Sequence, residues 1–441
     1  MIRVGMISLG CPKNQVDAER MLASLDEKEY QIADCYDGAD AVIINTCGFI
    51  DAAKQEAIDN ILEIAQLKEE GTVKKIIVTG CLSEVYKEEI FKEMPEVDAV
   101  VGIGAIGRIT EIIDRVLAGE RVSDLPSKYD LPLVGERLLT TPEYWAYLKI
   151  ADGCSNRCAY CSIPYIRGNY RSVDFETVLE EAAQLAASGV KELILIAQDT
   201  TAYGMEKYGR LRLPELLEAI CKIDGIEWIR ILYCYPDKIT DELLEVMARE
   251  PKILHYIDLP LQHADDKILK AMNRHGDSAL LRDVVSRIRS AMPDAVIRTT
   301  MMVGFPGEGE EEFEHLAEFV NEMEFDRLGC FSFSPQEGTP AFDMEDQVDE
   351  SVKVRRGEII MQDQLEIVTL KNEERIGKSY MVLVEDYDSY SDSYSGRTYM
   401  DAPEIDGVIR FTSSRNYEPG DFADVTVIGV NDYDLIGRDN S

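Results

Sequence analysis

The sequence predicts an α/β protein in three parts: an N-terminal parallel-sheet domain, a central partial (β/α)6 barrel of the TIM type, and a small all-β barrel at the C-terminus. Three observations carry this. Short apolar runs alternate with amphipathic helical stretches over the first 120 or so residues, the alternation returns six times between residues 143 and 370, and beyond Lys371 strand-like runs follow one another, broken by Gly, Asn, Asp and Pro.

In the first part, residues 1–120, the runs IRVGMISLG, AVIINT and KIIVTG read as strands, each followed by a helical pattern, as in a sheet with crossover helices. Residues 121–142 carry three prolines and little periodicity, which predicts a linker. In residues 143–370 the runs WAYLKIA, ELILIAQ, WIRILYC, YIDLPL, AVIRTTMMVGF and RLGCFSFS alternate with helical segments such as DFETVLEEAAQLAAS. Six strand–helix units fall short of the roughly eight of a closed barrel, so the expected barrel is incomplete. In residues 371–441, YMVLVEDY, GVIRF and FADVTVIGV predict the small β-barrel.

Bulk properties narrow the function. Hydrophobic residues make up 45% and charged residues 29%, the balance of a globular chain. No apolar run approaches the roughly 18 residues of a membrane span and no secretory signal is evident, so a cytoplasmic protein without membrane contact is expected. There, ten cysteines read as metal ligands or small core residues rather than disulfides. The net charge of −37, from 83 acidic and 46 basic residues, repels nucleic acid and suits a basic protein partner.

Cys154, Cys158 and Cys161 form C-x3-C-x2-C in GCSNRCAYCSIPYIRG, just after the first barrel strand. Three thiolates at this spacing can hold three corners of a four-iron cluster and leave the fourth iron open to a ligand. A zinc knuckle is the alternative reading; it needs a fourth Cys or His brought in by folding, and the nearest histidine in sequence is His255. Cys11, Cys47 and Cys81 each end an apolar run, in ISLGC, IINTC and IVTGC, at spacings of 36 and 34 residues. One strand–helix unit fits each spacing, so neighbouring parallel strands would bring all three to one sheet edge, where ligands bind in such folds. The alternative is three packed cysteines. Cys35, Cys221, Cys234 and Cys330 show no cluster pattern and read as core.

The runs LGCPKNQVDAE, NTCGFIDAAKQEAID, VTGCLSEVY and LKIADGCSNRCAYCSIPYIRGNYRS together resemble the methylthiotransferase family of radical S-adenosylmethionine enzymes, over essentially the whole chain. The wording is similar to the branch that modifies ribosomal protein S twelve rather than to the transfer-RNA branch. The resemblance implies two [4Fe-4S] clusters and S-adenosylmethionine. The cluster on Cys154, Cys158 and Cys161 would chelate S-adenosylmethionine at its open iron for cleavage to a 5′-deoxyadenosyl radical. An auxiliary cluster on Cys11, Cys47 and Cys81 would hold the sulfur to be transferred. The substrate implied is an aspartate whose β-carbon gains a methylthio group, and a reducing protein would supply electrons.

Further candidates follow from position in these motifs. Tyr160 occupies the place of an aromatic residue near the adenine. Gln198, in IAQDTT, falls where many radical enzymes carry a GGE run that meets the S-adenosylmethionine amino group, and this sequence departs from that run. Arg298 and Thr300, on the fifth barrel strand, are candidates for cofactor contact, and His263, in LPLQH, for an approach to the substrate or for a plain hydrogen bond. The C-terminal segment resembles a TRAM domain, with RTYMDAPEIDG as its recognisable stretch; from Lys371 onward it holds seven basic and fifteen acidic residues. An RNA-binding face would cluster Lys and Arg among aromatics, so this acidic barrel points to the basic ribosomal protein. The alternatives are a methylthiotransferase acting on an adenosine of transfer RNA, and a non-catalytic iron–sulfur redox-sensing or scaffold protein.

Overall fold

Strands β1 (Ile2–Ser8), β2 (Tyr30–Ile32), β3 (Ala41–Thr46), β4 (Ile76–Gly80), β5 (Ala99–Val101) and β6 (Val122–Asp124) form one parallel sheet in the order β2-β1-β3-β4-β5-β6. The computed structural model describes residues 1–33 and 35–441. Every residue of β3 and β4 is buried, as expected of central parallel strands covered on both faces. The helices Pro12–Ala23 and Ile109–Leu117 close one face over Val4, Ile43 and Ile77, and the helix Asp51–Glu69 closes the other over Val42, Ile44 and Val78.

β6 lies inside the stretch expected to be a linker. It pairs with β5 because Val122 buries completely against the sheet, and a three-residue strand among polar neighbours leaves no periodicity to read. β2 and β5, also three residues long, escaped notice for the same reason.

All six strands expected of the barrel are present: β7 (Trp145–Lys149), β10 (Glu192–Ile196), β11 (Trp228–Ile231), β12 (Ile253–Asp258), β13 (Val296–Val303) and β14 (Arg327–Ser332). They are parallel, in the order β14-β13-β12-β11-β10-β7, and β7 and β14 do not pair, so the barrel is an open arc. A short antiparallel pair, β8 (Ala151–Asp152) and β9 (Arg171–Ser172), frames the cysteine loop between them.

The C-terminal strands β15 (Ser379–Asp388), β16 (Ser393–Arg397), β17 (Ile409–Thr412), β18 (Phe422–Asn431) and β19 (Asp434–Asp439) close a barrel. The helix Glu350–Glu373 packs along β14 and leads into it, so Lys371 sits in the last turn of that helix and the first strand begins at Ser379.

This small barrel plugs the floor of the large one. Trp145, Tyr147, Ile194, Trp228, Tyr256 and Val296 from the lumen share one apolar cluster with Val382, Met400, Ala402, Ile409 and Phe411. The RTYMDAPEIDG stretch makes the polar part of the plug. Arg397 pairs with Glu192, Asp401 with Arg327, and Asp406 accepts from Tyr256. Floor and mouth are thereby separated, and the mouth is left to the N-terminal domain. Among the described residues no helix is long and apolar enough to cross a membrane.

Candidate functional site

Parallel register sets the first group of thiols. β1, β3 and β4 are neighbours, Ser8 lies opposite Asn45, and Thr46 lies opposite Gly80. Cys47 and Cys81 therefore leave adjacent strands side by side, and Cys11 follows β1 as the N-cap of the helix Pro12–Ala23. Close approach depends on glycine at two points. Gly10 has φ of +91°, and a Cβ there would stand 2.7 Å from Cys47 Cβ and 3.0 Å from its Sγ; a Cβ on Gly80, at φ of +96°, would meet the Thr46 carbonyl at 2.4 Å. Asn14 ties the edge together, its Nδ2 donating to the Leu9 carbonyl at 2.7 Å, while Asn45 Nδ2 donates to the Asn14 carbonyl at 2.7 Å.

The three thiols differ in charge. Burial pushes Cys81 up to about 12 against the opposing field of Arg167, and burial also raises Cys47. At Cys11 burial again resists ionisation, but the charges of Lys13 and Arg167, helped by the Asn14 and Lys13 backbone amides, outweigh it and lower the thiol.

The second group sits on one loop. Gly153, at φ of +78°, turns the chain out of β8 where a Cβ would meet the Asn169 carbonyl at 2.3 Å, and the Cys154 amide donates to the Gly168 carbonyl at 3.1 Å. Ala159 N donates to Met272 O and Asn273 Nδ2 to Arg157 O, which docks the loop on the segment after β12. Tyr235 Oη lies 3.6 Å from Cys158 Sγ, Arg274 Nη1 lies 3.9 Å from it, and the Arg274 guanidinium stacks on the Tyr235 ring at 4.0 Å. Burial raises Cys154 to about 11 and raises Cys161 as well.

Two bridges join the groups. Arg167, at the end of the short helix after Cys161, is 1% exposed and donates from Nη2 towards Cys81 Sγ at 3.8 Å. It is held by Asp17 at 2.9 Å and Asp152 at 2.8 Å, with Lys149 pairing to the same two carboxylates. Arg167 and Lys149 keep Asp152 near 2 although burial opposes its charge. The second bridge is the segment after β11: Tyr233 lies under Lys13, beside Cys11, and Tyr235 touches Cys158. The two thiol groups thus belong to one cleft, between the carboxyl edge of the first sheet and the barrel mouth.

The other expected residues separate. Gln198 follows β10, and both polar atoms of its side-chain amide are buried without a hydrogen-bond partner among the described residues, so it offers a donor and an acceptor to a ligand. Tyr160 is half-buried against Ala159, Ile268, Met272 and Phe305, with its hydroxyl raised by burial. Thr300 and Arg298 share the lumen face of β13. Arg298, however, is engaged by Asp258 at 2.7 Å and Asp406 at 3.6 Å, which ties it to the floor plug rather than leaving it open to a cofactor. His263 is fully buried, accepts from Asp265 N at Nδ1, and has its Nε2 3.2 Å from Glu308, itself paired with Arg356, without a hydrogen bond there among the described residues.

Sequence reasoning passed over Lys13, Arg167, Tyr233, Tyr235 and Arg274. Arg167 and Lys13 stood inside quoted motifs, and the two tyrosines follow a barrel strand in LYCYP, a position that signals the mouth.

All ten cysteines are free thiols. Three thiols per group suit a cuboidal cluster with an open corner, and the unpartnered Gln198 amide suits a polar ligand beside it. The four histidines are taken up by carboxylates: His255 by Asp294, His263 by Glu308, His275 by Asp237 and His315 by Asp265. Among the described residues no three His, Cys, Asp or Glu side chains gather at the spacing of a single ion.

The Radical SAM superfamily model matches residues 148–320, the Uncharacterized protein family UPF0004 model residues 3–102, and the TRAM domain model residues 376–438. The ribosomal protein uS12 methylthiotransferase RimO of Thermoanaerobacter sp. (strain X514) is 50% identical over 439 residues, spanning 99% of this chain and 100% of that protein. RimO of Clostridioides difficile (strain 630) is 46% identical over 442 residues, 99% and 98% of the two chains. Among solved structures, the radical S-adenosylmethionine methyltransferase TsrM from Kitasatospora setae superposes with a TM-score of 0.58 over 77% of this chain and 76% of that one. At 13% identity that likeness shows the fold alone.

Proposed function

The chain belongs to the RimO family of ribosomal protein uS12 methylthiotransferases, and from that membership and the two facing thiol groups we propose that it adds a methylthio group to the β-carbon of an aspartate in uS12. The observation that carries the reading is how the two groups are linked: Arg167, just beyond the Cys161 loop, reaches Cys81, and the Tyr233–Tyr235 segment meets Lys13 beside Cys11 at one end and Cys158 at the other, so a substrate side chain entering the barrel mouth would meet both.

In this reading Cys154, Cys158 and Cys161 hold one [4Fe-4S] cluster, Cys11, Cys47 and Cys81 hold the auxiliary one, and S-adenosylmethionine binds beside the first. When bound, these groups supply one-electron chemistry able to reach an unactivated C–H bond and a site for sulfur. The polypeptide does the rest. Gln198 offers its unpartnered amide to the polar end of S-adenosylmethionine, Tyr160 lies beside the loop for the adenine, and Thr300 lines the lumen. Tyr235 and Arg274 fix Cys158, and Arg167 fixes the N-terminal domain over the mouth so that water is kept from the cleft. A reducing protein supplies electrons, and the setting is the cytoplasm. The division at residue 142 belongs to the same reading, while β6 carries the first domain to Asp124 and the helix Glu350–Glu373 carries the second just past residue 370.

The C-terminal barrel supports a protein substrate. Of its seven basic residues, Arg397, Arg375 and Lys371 turn inward to Glu192 and Asp326, which leaves Lys378, Arg410, Arg415 and Arg438 exposed on a surface dominated by carboxylates. Such a surface attracts a basic ribosomal protein and repels RNA. Mass spectrometry of uS12 and transfer RNA from a strain lacking this protein tests the reading. Loss of the methylthio group from uS12 alone is expected; loss from transfer RNA alone would overturn it.

A further inference from the structure

No carboxylate of the described residues forms a salt bridge with Lys13, whose ammonium acts on the neighbouring Cys11 thiol while burial works against its own charge. The residue is 5% exposed, and its ammonium sits 3.1 Å above the centroid of the Tyr233 ring. Among the described residues it forms no salt bridge, although an ammonium has three donors to place and a ring face satisfies one direction at most.

The carboxylates nearest to it are already engaged. Asp258 accepts from Arg298 Nη1 at 2.7 Å and from the Tyr233 amide at 2.9 Å, and Asp152 accepts from Arg167 and Lys149. Tyr233 itself is held in place at φ of +62°, a conformation disfavoured for a bulky side chain and maintained here by Asp258 and by the Thr200 amide donating to its carbonyl at 2.9 Å. A buried cation on a fixed aromatic platform, two residues from Cys11 and two residues from the Cys158 contact at Tyr235, is arranged to receive an anion from outside the chain.

We infer that Lys13 binds the side-chain carboxylate of the target aspartate and so holds its β-carbon, one bond from the carboxyl carbon, in the cleft between the two thiol groups. This rests on the uS12 reading above. Lys13 is then the residue that separates an aspartate from its uncharged isostere, as a buried donor rejects a ligand that cannot pair with it. S-adenosylmethionine also bears a carboxylate, so the test follows both.

Holoenzyme with both clusters, as wild type and as Lys13→Met, is titrated with uS12 carrying Asp or Asn at the modified position, and S-adenosylmethionine affinity and iron content are measured in parallel. Wild type should favour the aspartate form by about tenfold, the size of one charge-assisted hydrogen bond. Lys13→Met should bind both forms alike, with iron and S-adenosylmethionine affinity unchanged. If Lys13→Met fails to load iron, Lys13→Gln, of similar length and still a hydrogen-bond donor, takes its place with the same expectation.

A preference for aspartate that survives in the variant overturns the inference. So does a loss of S-adenosylmethionine affinity with the aspartate preference intact, which would assign the ammonium to the cofactor. A wild-type enzyme that ignores both forms of uS12 while binding S-adenosylmethionine defeats the functional reading itself, and this inference with it.

Discussion

The two thiol groups reach similar composition by opposite routes. Cys154, Cys158 and Cys161 lie on one loop whose shape is set by Gly153 and by docking on Met272 and Asn273, whereas Cys11, Cys47 and Cys81 come from three strand ends and meet only because β1, β3 and β4 are neighbours in register. A site built on one loop can keep its spacing while the surrounding fold relaxes. A site built on a sheet edge is only as intact as the sheet, and here also depends on Arg167 reaching across from the barrel.

The largest expected difference follows from chemistry. Changing Cys154, Cys158 and Cys161 together to Ala should abolish 5′-deoxyadenosine formation and methylthio transfer alike. The same change at Cys11, Cys47 and Cys81 should abolish transfer while 5′-deoxyadenosine still forms, as read by chromatography of anaerobic assays. Equal loss of both products in the two variants would break the division of labour.

Next in size is the bridge. Arg167→Met removes a buried cation from Asp17 and Asp152, leaving two carboxylates to Lys149 alone, and should cost about 3–5 kcal/mol in urea unfolding. It should also lower iron at the auxiliary site more than at the loop site, because Cys81 loses its partner.

Two glycines sharpen the contrast. Gly10→Ala forces a Cβ against Cys47, and Gly153→Ala forces one against the Asn169 carbonyl, both at positive φ, at a cost of about 1–3 kcal/mol each. The first should deplete the auxiliary cluster and the second the loop cluster, separable by iron content and by 5′-deoxyadenosine yield.

The smallest effect is one of pH on the metal-free protein. Burial raises Cys81 to about 12 and Cys154 to about 11 from an ordinary value of 9.0, so the folded chain binds protons there that the unfolded chain releases. Stability from these groups is complete below pH 9 and declines as pH rises through 11 and 12, measurable as a falling denaturant midpoint. Cys11 shifts the other way, so it should alkylate before Cys47 and Cys81 at neutral pH, as followed by peptide mass spectrometry.

The same contrast governs what could be read from the sequence. The loop cysteines announce themselves by spacing, since their ligand geometry is local. The sheet cysteines needed one more step, that a strand–helix unit separates each from the next, and the six-strand order with β1, β3 and β4 adjacent satisfies it. Long apolar strands were legible, while β2, β5 and β6, at three residues each, and the polar β16 and β19 were not. Pairings across domains were hidden altogether. Arg298 looked available on its strand, yet Asp406 in the plug helps to hold it, and nothing near Lys13 in sequence hints at Tyr233.

Iron and sulfide content of anaerobically purified protein tests the central claim most directly. About eight irons per chain are expected in wild type, about four after Ala replaces Cys11, Cys47 and Cys81, and about four after Ala replaces Cys154, Cys158 and Cys161. Wild type with about four irons, of which none is lost when the sheet-edge cysteines are removed, would contradict it.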